Sequence, residues 1–171
     1  MDVPNKDSYD ELLQFNRITQ ENWLAPDRKG NPPSLNESQW IEFFLAPRLD
    51  GAVPRDIVKV FEMARAAMIY SWFFYPLATL GLEQCTRVAE FAIRERCRML
   101  LQEPGTFAEN IATLHAAGVI SPQDEPRWQA CRRIRNDRSH LNGFVLLDPG
   151  FAGGRLRTFA ELINKLFPNL S

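Results

Sequence analysis

From residue 54 onward, apolar positions recur at spacings of three and four, the periodicity of amphipathic helices. Ile57, Val60, Phe61, Ala64 and Met68 form one such stripe behind Pro54 and Asp56, a proline and an acid placed where helices begin. The stripe predicts a helix running into the late seventies, where Pro76 removes a backbone donor and bends or ends it, and Gly81 punctuates. A second helix is expected over Leu82 to Leu101, with Cys85, Val88, Ala89, Ala92 and Ile93 on one side and Arg87, Glu90, Arg94, Glu95 and Arg98 around the other. Glu90 and Arg94 stand four apart in the order that favours pairing.

Pro104-Gly105-Thr106 breaks the pattern, and Thr106 with Glu109 forms a capping box for a helix that Gly118 ends. Ser121, Pro122, Asp124 and Pro126 then open an arginine-rich helix with Trp128, Cys131, Ile134 and Leu141 as its apolar positions. An irregular passage follows, through Asn142-Gly143, a short apolar run from Phe144 to Leu147, Asp148-Pro149-Gly150 and Gly153-Gly154. Leu156, Phe159, Leu162, Ile163, Leu166 and Phe167 mark a last amphipathic helix. The first 35 residues are mostly polar, support helical turns only around Tyr9 to Trp23, and close on Lys29-Gly30-Asn31-Pro32-Pro33-Ser34. Beyond them, Ser34 or Asn36 caps a short helix carrying Trp40, Phe43 and Phe44. The pattern predicts an all-α, single-domain helical bundle: residues 1–53 an N-terminal arm with short helices packing on the core, residues 54–171 the helical domain.

The chain has 171 residues, with 20 Lys+Arg against 21 Asp+Glu, so any basic function is local rather than a property of the whole molecule. Cys85, Cys97 and Cys131 are odd in number and widely spaced, with no Cys/His cluster that suits zinc; neither a metal site nor a cofactor is expected. The cysteines and the lack of a signal-peptide pattern lead to the expectation of a reduced, cytoplasmic protein. Ala66 to Leu82 carries no charge, but it is short for a membrane span and holds Pro76; a buried core helix is the expectation, and no membrane association. Trp72, Phe73, Phe74 and Tyr75 within it suit core or dimer packing better than base stacking. His115 reads as a cation near a helix C-terminus.

Local charge appears between Arg127 and Arg138, where Arg127, Arg132, Arg133, Arg135 and Arg138 stand against the single acid Asp137. His140, one of two histidines, follows directly. Arginine matches phosphate oxygens with a planar fork, and histidine moves protons near neutral pH. At about 100° per residue, Asn136 and His140 lie about 40° apart on one face, with Arg133 within about 20° of His140. Arg135 lies about 140° from His140 and flanks the apolar stripe, while Arg138 falls almost inside it and needs a carboxylate such as Glu83 or Glu90, or a second copy of the chain. For Arg135 and His140 to meet, the helix bends or ends near Asp137 to Ser139, Arg135 reaches around, or two protomers pool their residues.

Arg135-Asn136-Asp137-Arg138-Ser139-His140 resembles the Rx4-6H motif of the HEPN superfamily, whose usual form has a polar residue just after the arginine. The likeness covers roughly residues 54 to 167 and includes the aromatic helix pair from Tyr70 to Arg98 and the late position of the motif; the N-terminal arm departs from it. The resemblance implies a four- or five-helix core and a metal-independent endoribonuclease of toxin or defence type, dimeric, with RNA as substrate and an antitoxin or regulatory protein as partner. On this likeness Arg135 and His140 are catalytic, and Asn136, Arg132, Arg133 and Arg138 bind substrate. His140 exchanges protons with the ribose 2′-hydroxyl and the leaving 5′-oxygen while Arg135 steadies charge on the phosphate, giving 2′,3′-cyclic phosphate and 5′-hydroxyl ends. Two other readings accompany it: a catalytically silent module that binds RNA, nucleotide or a protein partner, and a helical interaction protein in which the motif closes a salt-bridge network.

Overall fold

The computed structural model describes residues 17–27, 35–101, 103–139 and 146–168, which form six helices and, among the described residues, no strand. They are α1 (Glu37–Leu45), α2 (Arg55–Tyr70), α3 (Leu77–Leu101), α4 (Phe107–Ala116), α5 (Glu125–Ser139) and α6 (Pro149–Leu166). The protein is an all-α bundle, as the apolar periodicity predicts. Tyr9, the Lys29 to Ser34 break, Leu141, Asn142-Gly143 and Phe144 lie outside the described residues.

The longest helix, α3, is the hub, packing on α2, α4, α5 and α6. Its inward positions Cys85, Val88, Ala89, Ala92 and Ile93 are all fully buried, and they meet Phe61, Ile111, Leu156, Phe159 and Ile163 in one core. Each large side chain so buried stabilises the fold by about 1.5–3 kcal/mol before entropy is counted. Trp40 and Phe44 of α1 belong to the same core, with Trp40 Nε1–H donating to the Ile69 carbonyl at 2.9 Å. Asn36 caps α1 through a capping box with Gln39.

Helix ends follow local chemistry. Thr106 and Glu109 form the expected capping box on α4. At its other end, Gly118 takes φ 72°. This lets the Val119 N–H reach the Leu114 carbonyl (2.9 Å) and the Gly118 N–H reach that of His115 (3.0 Å), a Schellman closure. His115 Nδ1 lies 3.0 Å from the Ile120 carbonyl oxygen, so the histidine completes this helix end.

Three expectations are corrected. The helix from Pro54 ends at Tyr70 rather than in the late seventies. The Ser71 hydroxyl donates to the Met68 carbonyl (2.6 Å), the chain turns through Trp72 to Tyr75, and Pro76 stands at the opening of α3, where its missing N–H is no loss. The uncharged stretch therefore spans the end of α2, a corner at residues 71–76 and the start of α3, and no helix among the described residues is long and apolar enough to cross a membrane. Gly81 does not punctuate; it lies inside α3, where a Cβ would stand 2.5 Å from Met68 Cγ and 2.9 Å from the Ala64 carbonyl oxygen. Gly153, read as irregular, is likewise inside α6 and faces the Phe43 ring, while Asp148 caps the helix and Pro149 starts it.

Residues 17–27 are tied to the α2–α3 corner through Asp27. The N–H of buried Asp27 donates to the Trp72 carbonyl (2.8 Å), and its carboxylate accepts from the Tyr75 N–H (3.1 Å).

Candidate functional site

Helix α5 begins at a knot of charge. The Ser121 hydroxyl accepts from the Asp124 N–H (3.1 Å) and donates to its carboxylate (2.9 Å), and Asp124 also receives Lys165 (2.7 Å) and Arg127 (3.0 Å). Burial pushes the Asp124 carboxyl upward, but hydrogen bonds from Lys165, Ser121 and Arg127 outweigh it and hold the group below its ordinary value. Arg127 also reaches Glu161 of α6 at 2.8 Å. This arginine is a structural tie.

Trp128 and Cys131 anchor the middle of α5 in the core, at 1% and 4% exposure. Burial pushes the Cys131 thiol up to about 12 and the Cys85 thiol higher still. Neither is a thiolate nucleophile at neutral pH. Among the described residues, no group of His, Cys, Asp and Glu is arranged to hold a metal ion.

Beyond Cys131 the helix carries the motif residues Arg135 to Ser139. Arg135 Nε–H donates to the Glu90 carboxylate of α3 at 2.9 Å, with the two side chains 39% and 32% exposed. On the wheel, Arg135 falls about 40° from Cys131, so it continues the core-facing side of α5, just where the core gives way to solvent. Asn136, partly buried, lies about 100° further round, with exposed Arg133 and Asp137 beyond it. Arg132 Nε–H donates to Gln129 on its own helix at 2.9 Å.

The structure thus brings Arg135 to the α3–α5 seam with Arg132 about 60° from it, and leaves Asn136 about 100° and Arg133 about 160° further round α5. Helical geometry persists through Ser139, the last described residue of this segment. His140 and the Arg138 side chain lie outside the described residues. Glu90, expected to pair with Arg94 or to receive Arg138, holds Arg135 instead. Helical spacing within α3 offered Arg94; only the packing of α5 across α3 offers Arg135.

Trp72 of the aromatic corner is core, 5.6 Å from the Trp40 ring, while Phe73, Phe74 and Tyr75 are partly buried. Burial, then the nearby carboxylates of Asp148 and Asp27, raise the Tyr75 phenol.

No family model matches the sequence, and no curated protein and no solved structure matches it either.

Proposed function

We propose that this chain is a HEPN-like, metal-independent endoribonuclease of toxin or defence type, cleaving RNA to 2′,3′-cyclic phosphate and 5′-hydroxyl ends. The observation that carries the reading is the position of Arg135: a half-exposed guanidinium held at the seam of two helices by Glu90, at the edge of a late arginine-rich helix in an all-α bundle. A fixed cation facing solvent is what a phosphate undergoing attack requires. The Glu90 pair does not forbid that use, since an ion pair this exposed contributes about 0–1 kcal/mol and yields to a phosphate. His140 acts as acid and base, Asn136 orients the imidazole or the phosphate, and Arg132, Arg133 and Arg138 follow the RNA backbone. Because Arg135 and Asn136 occupy different sides of α5, the working site is shared by two protomers of a homodimer, with an antitoxin or regulatory protein as controlling partner in the cytoplasm.

A second reading draws on the same contact. Arg135 already has a counter-ion, which suits a catalytically silent module that binds RNA or nucleotide, or a structural salt bridge. Incubation of RNA with the protein in EDTA separates them. The proposal expects cleavage that is lost in both Arg135→Ala and His140→Ala; full activity in either variant sinks it, and binding without cleavage selects the silent module.

A further inference from the structure

Helix α3 carries a line of exposed positions, Leu80, Arg87, Phe91, Arg94 and Arg98, which at about 100° per residue fall within about 60° of one another. Arg87 and Arg94 stand one turn to either side of Glu90, so the carboxylate that holds Arg135 lies between them. The Arg135 site therefore continues onto α3 through two further arginines and the exposed ring of Phe91, 36% accessible. Resting on the endoribonuclease reading, we infer that Arg87, Phe91 and Arg94 form the path by which single-stranded RNA leaves the Arg135 site, the arginines contacting phosphates and Phe91 stacking a base.

Charge decides the occupant. Two copies meeting along this line would set arginines against arginines; of the acids on α3 beside it, Glu90 and Glu95 already hold Arg135 and Arg98, leaving Glu83 at the N-terminal end, while Asp56 of α2, near Glu95, holds Lys59. A polyanion meets no such conflict. An aromatic face between cations suits a strand with unpaired bases, because stacking needs an open base face that a duplex conceals.

The probe is a fluorescein-labelled, mixed-sequence single-stranded RNA, bound by the full chain carrying His140→Ala so that it stays intact. Affinity is measured across a salt series, with sedimentation and a melting curve for each variant. Arg87→Ala and Arg94→Ala should each lower the slope of log affinity on log salt by about 0.7, one phosphate apiece. Phe91→Ala should weaken binding roughly 5- to 150-fold with the slope unchanged. If Arg135→Ala lowers affinity while the three α3 variants leave affinity and slope alone, the path is overturned and RNA binding at Arg135 is kept. If the α3 variants lower the sedimenting mass and leave RNA affinity intact, the line is a protein–protein face and the path is again overturned. A chain that binds no RNA before the α3 substitutions overturns both.

Discussion

Replacing Gly81 by alanine should destabilise the protein although alanine is the better helix former. In an exposed helix the exchange gains about 1 kcal/mol. At Gly81 the new methyl would stand 2.5 Å from Met68 Cγ and 2.9 Å from the carbonyl oxygen of Ala64. Met68 is fully buried and moves only by displacing its neighbours, and the carbonyl is backbone of α2, which cannot rotate away. Overpacking of this kind costs about 1–3 kcal/mol. Both contacts are under 3.0 Å, which places the cost toward the upper end of that range, about 2–3 kcal/mol, so the balance is a net loss of about 1–2 kcal/mol, or roughly 2–8 °C in Tm for a chain of this size. Gly154 supplies the control: it is also inside a helix, but nothing lies within 4 Å of its would-be Cβ. There the same exchange should stabilise by about 0.5–1 kcal/mol. Thermal and urea unfolding followed by far-ultraviolet circular dichroism measure both. Adding Met68→Ala should make the Gly81→Ala cost smaller than in the parent. A Gly81→Ala protein at least as stable as the parent, or strict additivity with Met68→Ala, refutes the close α2–α3 crossing.

Trp40→Ala should cost about 3–5 kcal/mol, and Trp40→Phe only about 1–2, because the first removes a core ring and the second mainly its hydrogen bond to Ile69; equal, small losses in urea midpoint would contradict the burial of α1. Asp124 has a folded value below its ordinary 3.8, so the stability it contributes is complete above that pH and fades as pH falls through the lower folded value. Asp124→Asn should therefore lose about 1–3 kcal/mol at neutral pH and show a flatter loss on acidification, read from urea midpoints down through that range; an unchanged acid limb would speak against the Lys165–Asp124–Arg127 cluster. If two protomers share a site, mixing equal amounts of Arg135→Ala and His140→Ala protein under exchange should recover up to about a quarter of the parental RNA cleavage, since about half of the dimers are mixed and one of the two composite sites in each keeps both groups. No recovery in proven mixed dimers would confine the site to one chain.

Elements were legible where the signal is local. Thr106 with Glu109 caps α4 through bonds that reach three residues, and Gly118 ends it with a backbone angle that favours glycine. Glycine at 81 and 153 is ambiguous in sequence because the same residue serves two purposes, turning a chain and letting another element approach, and the partners Met68 and Phe43 are remote in sequence. The corner after Tyr70 is hidden for a related reason: Ser71 to Tyr75 is apolar enough to continue the stripe, while the helix ends at Tyr70, several residues before Pro76. In the candidate site, helical angles place Arg135 beside the apolar stripe but offer Glu90 to Arg94 or to Arg138, whereas the structure pairs it with Arg135. The partner of Arg135 depends on how α5 crosses α3, which no spacing within either helix encodes.

The most direct test of the account is the chemistry of RNA ends after incubation with the protein in EDTA. The account predicts 2′,3′-cyclic phosphate and 5′-hydroxyl ends that disappear in both Arg135→Ala and His140→Ala. Intact RNA, ends of another kind, or undiminished cleavage by either variant would contradict it.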